Sequence, residues 1–297
     1  MRQKTLVFQG CGTAMITPFT WDGGLNLKTF DQLIDFQLEN GTDALIVCGT
    51  TGEPSTMDIS EEAVLISHAV ERVAGRKPVV AGAGSNDTSF AIRSAKQAKS
   101  LGADALLLVT PYYNKTSQEG LVRHFNAIAD ATDLPIILYN VPSRTGVNLL
   151  PQTVRRLAEH ENIVGVKEAS GDIAQVAKLA ALCPELAIYS GNDDYVVPVL
   201  SLGGKGVISV VSNLLPALMH QMAMDYLQGR CRESLEVQLR ILPLVSALFS
   251  EVNPIPVKTA LGDMGYDCGP LRLPLIEMQP NTHAELLRQL RAFGLVE

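Results

Sequence analysis

The sequence predicts an α/β fold: a closed (β/α)8 TIM barrel with a C-terminal helical extension. Three observations lead there. Eight short apolar runs recur about 20 to 34 residues apart, the segments between them carry helix periodicity, and the strand pattern stops near residue 230. One strand, one helix and two short loops fill such a spacing. The division expected is a catalytic barrel over residues 1–230 and a helical domain over 231–297.

The runs suited to buried parallel strands are Ala14-Met15-Ile16, Ala44-Leu45-Ile46-Val47, Pro78-Val79-Val80-Ala81 and Ala105-Leu106-Leu107-Leu108-Val109. Four more follow, at Ile136–Tyr139, Ile163–Val166, Leu186–Tyr189 and Gly206–Val210. Continuous Val, Ile and Leu runs suit strands covered on both faces. Between them, Phe30, Leu33, Ile34 and Leu38 share one helical face, Asp58 with Glu61 can form a capping box, and Pro151 suits a first helical turn. An open doubly wound sheet is the structural rival, because Ala81-Gly82-Ala83-Gly84 resembles half of a dinucleotide fingerprint. The third glycine is missing. Beyond residue 230 helical stretches appear at Leu239–Val245 and His283–Leu287.

Composition narrows the function classes. The 297 residues, 46% hydrophobic and 19% charged, describe a folded globular chain with room for a large core. A net charge of −7 leaves no basic stripe for a phosphate backbone, so nucleic acid is excluded as a partner. Five scattered cysteines, Cys11, Cys48, Cys183, Cys231 and Cys268, lack metal-ligand spacing and read as buried free thiols. No run of 18 apolar residues occurs, and no long apolar region follows Met1-Arg2-Gln3-Lys4. The expectation is a cytoplasmic protein without a membrane partner.

A barrel of this type carries its active site at the carboxyl ends of the strands. There the sequence places Gly49-Thr50-Thr51-Gly52-Glu53, Gly82-Ala83-Gly84-Ser85-Asn86, Thr110-Pro111-Tyr112-Tyr113-Asn114, Tyr139-Asn140-Val141-Pro142-Ser143-Arg144 and Ser190-Gly191-Asn192-Asp193-Asp194. Lys167 closes the sixth run. An amine at the rim of a core is poorly solvated, which favours its neutral form, and a neutral amine attacks carbonyls to form imines. The bland alternative is a lysine that snorkels to solvent or pairs with Glu168. Tyr139 could equally be a core tyrosine, Thr50 and Thr51 turn caps, and Arg144 a solvated charge. Lys205, in Gly203-Gly204-Lys205-Gly206, falls before a strand and lacks the Walker spacing.

At these motifs, and at Asn253-Pro254-Ile255-Pro256-Val257-Lys258, the chain resembles the class I aldolase family of dihydrodipicolinate synthase and N-acetylneuraminate lyase. The resemblance runs from Gly12 to the C-terminus. It implies a Schiff base between Lys167 and pyruvate, and an enamine that attacks L-aspartate-4-semialdehyde in the diaminopimelate and lysine pathway. It also implies a proton relay of Tyr139, Thr51 and Tyr113, with Tyr113 entering a neighbouring subunit of a homotetramer built from dimers. Thr50 then binds pyruvate's carboxylate, Arg144 the acceptor's carboxylate, and Ile208 and Gly191 line the substrate site. No metal and no cofactor are implied. Asn192 departs from the Ser-Gly-Asp-Asp common in relatives. The runner-up is another pyruvate-dependent lyase of this fold, acting on sialic acid or a 2-keto-3-deoxy sugar acid. Arg144 speaks against it, since polyhydroxylated substrates call for small or polar residues in that loop.

Overall fold

The computed structural model describes residues 4–297. Eight parallel strands close on themselves: β1 (Gly10–Ala14), β2 (Ala44–Val47), β3 (Val79–Gly82), β4 (Ala105–Val109), β5 (Ile136–Asn140), β6 (Ile163–Glu168), β7 (Ala187–Ser190) and β8 (Gly206–Ser209). Closure comes from β1 pairing with β8, in register from Gly10↔Gly206 to Thr13↔Ser209. The open-sheet rival is thereby excluded. Seven of the eight strands fall on their predicted runs to within about two residues, a margin normal for strand ends.

The exception is the first. The run Ala14-Met15-Ile16 marks only the end of β1, which occupies Gly10–Ala14. Glycine conceals the strand for a packing reason. A Cβ on Gly12 would stand 2.7 Å from Ile46 Cδ1 and 2.8 Å from the Phe8 ring, so that position carries no side chain. The space goes to Phe8, whose ring stacks on Tyr189 at 4.4 Å while the Tyr189 hydroxyl donates to the Phe8 carbonyl at 2.7 Å. The amino-terminal end of the barrel is thus plugged.

Alternation along each strand sorts side chains into two cores. Ala44, Ile46, Val80, Leu107, Ile137, Tyr139, Tyr189 and Ile208 fill the barrel interior. Leu45, Val47, Leu106, Leu108, Leu138 and Val166 face outward onto the helical ring. Each fully buried aliphatic of this kind contributes about 1.5–3 kcal/mol before entropy is charged against it. The ring forms as its sequence signals require. Asp58 accepts from Ser60 N and Glu61 N, and Glu61 accepts back from Asp58 N, completing the capping box of helix Ile59–Val73. Pro151 opens helix Pro151–Leu157. Four cysteines are buried, but Cys231 is exposed at the first turn of its helix, which corrects the expectation of five buried thiols. Among the described residues no helix is long and apolar enough to cross a membrane.

Beyond the barrel lie helices Cys231–Leu248, Ile255–Asp263 and Pro280–Ala292. Ile241, Leu244, Leu261 and Leu286 are fully buried in the same core as the helical ring. A second tie is ionic. Lys258 Nζ donates to Glu53 Oε1 at 2.8 Å, with the two side chains 3% and 1% exposed, and also to the Pro270 carbonyl at 2.9 Å. Glu53 lies in the left-handed region at φ 57° and accepts the Arg272 backbone N–H at 3.2 Å. Burial pulls the Lys258 ammonium below its ordinary value, opposed by the Glu53 charge. Removing one partner from such a pair strands the other charge in a dry site. Lys258→Ala is therefore expected to lower the unfolding free energy by about 3–5 kcal/mol, as read from chemical denaturation. A loss below about 1 kcal/mol would show that water reaches Glu53.

Candidate active site

Strand parity decides the bland reading of Lys167. Val166 faces the helical ring, so Lys167 turns into the barrel and Glu168 turns out again. Lys167 is 6% exposed and has no hydrogen-bond or ion-pair partner among the described residues. Glu168 is engaged elsewhere. Its carboxylate accepts from Asn140 Nδ2 at 3.1 and 3.2 Å, from Gln175 Nε2 at 3.2 Å and from Ser170 N at 2.7 Å. The lysine neither snorkels to solvent nor pairs with its neighbour.

What surrounds the amine is set by register. Lys167 pairs with Tyr139 on β5 and with Tyr189 on β7. Its Nζ stands 4.3 Å from the Tyr139 ring centroid, a distance at which the ring face attracts a cation. The stem needs clearance, and Gly191 provides it. A Cβ there would lie 3.2 Å from Lys167 Cε and 2.6 Å from Ala169 Cβ. Ile208 closes the interior on the β8 side, in register with Gly12.

Within reach of the lysine's charge, in the loop after β7, sits a carboxylate that the sequence reading left out of its site. Asp193 is fully enclosed. Its Oδ2 accepts from Val210 N at 3.0 Å and Val211 N at 3.1 Å, and its Oδ1 has no hydrogen-bond partner among the described residues. Burial pushes this carboxyl upward, against the pull of Ser209, of the two backbone donors and of the Lys167 charge. Asp193, not Asn192, therefore supplies the loop's buried acid. The Asn192 backbone is occupied in a turn, where its carbonyl accepts from Ser190 Oγ at 2.7 Å.

The remaining predicted residues form a second group. Thr50 and Thr51 open a tight 3-10 turn after β2, and Thr51 is buried while Thr50 is half-buried. Thr17 Oγ1 donates to the Gly52 carbonyl at 2.7 Å and pins that turn. Arg144 rides on the short helix Pro142–Thr145, exposed, with Nη2 donating to the Asn253 carbonyl at 3.0 Å. The Asn253 side chain in turn donates to Thr51 Oγ1 at 3.0 Å. Asn253 belongs to the site although sequence reasoning noted only its segment. Tyr113 is not brought to the others. Its side chain is 90% exposed and its backbone is left-handed at φ 63°. A bulky residue holds that conformation only when its surroundings impose it.

A buried amine, phenol and hydroxyl stand at the carboxyl end of a closed barrel, and the chain from residue 7 to 293 matches the model of a family described as the dihydrodipicolinate synthetase family. This chain belongs to that family. It is 53% identical over 289 residues to the 4-hydroxy-tetrahydrodipicolinate synthase of Caldicellulosiruptor bescii, covering 97% of this chain and 98% of that one. Among solved structures, dihydrodipicolinate synthase from Thermotoga maritima superposes with a TM-score of 0.95 at 46% identity, covering 98% of this chain and 100% of that one. The chloride-inhibited enzyme from Acinetobacter baumannii, complexed with pyruvate, superposes at 0.94 and 42% identity, covering 97% and 99%. The activity is that of a 4-hydroxy-tetrahydrodipicolinate synthase, a lyase of lysine biosynthesis.

Proposed function

We propose that this activity runs through a Schiff base between Lys167 and pyruvate, with L-aspartate-4-semialdehyde as acceptor. The observation that carries the reading is the burial of Lys167 against the Tyr139 ring with Glu168 turned away, which leaves the amine nitrogen uncommitted among the described residues and open to a carbonyl carbon. The amine nitrogen adds to the pyruvate ketone and water leaves, giving an imine. The imine draws electrons from the adjacent methyl, which loses a proton to become an enamine. The enamine carbon attacks the acceptor aldehyde. The acceptor's own amino group then attacks the imine carbon, closing a ring and expelling the lysine amine.

Each proton step needs a donor and acceptor of ordinary strength. Tyr139 and Thr51 serve from this chain. Thr50 binds the pyruvate carboxylate, between the β2 turn and the interior closed by Ile208 and Gly191. The pyruvate bound in the A. baumannii relative supports this donor. Arg144 takes the acceptor's carboxylate because its exposed fork sits at the mouth, fixed through one nitrogen and free through the others. One charge-assisted carboxylate contact is worth about 1.5–3 kcal/mol, so Arg144→Ala should lower kcat/KM for the semialdehyde about ten- to hundredfold. The KM for pyruvate should stay within about threefold. A variant that loses pyruvate binding instead would reverse the division of roles. Turnover with an aldose in place of the semialdehyde would favour the sugar-acid lyase reading.

The exposed, left-handed Tyr113 supports a shared site. We place its ring in a neighbouring subunit, where burying an aromatic and satisfying its hydroxyl would stabilise the strained loop. The minimal active unit is then a dimer, within a homotetramer. A dilution series followed by sedimentation and activity checks this, and full specific activity in a verified monomer would remove the shared site.

A further inference from the structure

We propose that Asn253 is a positioning residue that dictates the direction in which Thr51 offers its hydroxyl proton. The inference rests on the reading of Thr51 as a relay member. Asn253 lies between helices Cys231–Leu248 and Ile255–Asp263, in the C-terminal extension rather than the barrel, and is buried. Its Nδ2 donates to Thr51 Oγ1 at 3.0 Å and its backbone carbonyl accepts from Arg144 Nη2 at 3.0 Å. One residue outside the barrel thus touches a group assigned to the donor side and a group assigned to the acceptor side.

The direction follows from counting hydrogens. A threonine hydroxyl has one hydrogen and two lone pairs, and an amide N–H consumes a lone pair. The Thr51 hydrogen must therefore point away from Asn253. Thr51 is 2% exposed, so that hydrogen does not go to bulk solvent. It is left available to a group that enters the enclosed site. Among the described residues the opposite end of the amide, Oδ1, is buried without a partner, which leaves the N–H as the side chain's one contact by hydrogen bond there.

The fold holds this geometry at both ends. Glu53, two residues past Thr51, and Lys258, five past Asn253, form the buried ion pair, while Thr17 ties down the Gly52 carbonyl. Between those fixed points the amide has little freedom to turn the hydroxyl round.

Asn253→Asp is the informative variant. It is nearly isosteric and keeps the backbone carbonyl for Arg144, but it presents only acceptors, so Thr51 must turn its hydrogen toward the new carboxylate. An asparagine that merely filled space, or that accepted from Thr51, would be replaced without loss. The measurement is a kinetic cycle of N253D, T51V and the double variant. N253D should lower kcat about tenfold or more and leave KM for the semialdehyde within about threefold, and the double variant should be no slower than T51V alone. The double variant also reveals any effect of the added charge that does not pass through Thr51. Near-normal kcat in N253D, or losses that multiply fully in the double variant, would overturn the inference. Should N253D fail to fold, N253A takes its place with an expected loss of about threefold and the same masking by T51V, multiplied losses again being contrary. Full activity in T51V would remove the relay reading itself, a result distinct from an impaired T51V whose loss multiplies with that of N253D.

Discussion

An amine enclosed with no partner of its own is the constraint on which this structure depends. Lys167 is 6% exposed, and among the described residues no carboxylate hydrogen-bonds its amine. The site instead offers the face of Tyr139 and the diffuse field of Asp193, which is engaged by backbone donors on one oxygen only. Parity does the rest, because a strand that sends Lys167 inward must send Glu168 outward, where Asn140, Gln175 and Ser170 hold it.

The closed sheet provides rigidity on one side of this amine, and the C-terminal extension provides it on the other. Gln238 on helix Cys231–Leu248 donates to the Asp193 carbonyl at 2.9 Å and accepts the Val197 N–H at 3.0 Å. Asn253 reaches Thr51 and Arg144, and Lys258 reaches Glu53. The loops after β2, β5 and β7 are therefore all held by the same extension, the first two through Asn253 and the third through Gln238. Preorganisation of this kind matters because a catalytic group displaced by an ångström loses much of its effect.

Strand order, helix ring and barrel class were legible because continuous apolar runs and capping signals are local properties of the chain. The misplaced β1 shows the limit. Gly10 and Gly12 carry no hydrophobic signal, and the reason for Gly12 is Phe8, a contact made only after closure. Lys167, Tyr139, Thr51 and Gly191 were legible from their places at strand ends and from family resemblance. Asn253 and Asp193 were harder, since neither residue type is unusual after a helix or in a turn. Their roles arise from contacts between segments some 200 residues apart for Asn253 and Thr51, and 17 or 18 apart for Asp193 and its β8 donors. Tyr113 is visible in sequence as a strand-end aromatic, and in this chain its side chain is 90% exposed.

The central claim, that Lys167 is the nucleophile, is tested most directly by reducing the protein with borohydride in the presence of pyruvate and mapping the modified peptide by mass. A single lactyl-type addition on the peptide containing Lys167, absent without pyruvate, is the result this account requires. An adduct on Lys258, Lys205 or any other lysine, or no adduct under turnover conditions, would contradict it.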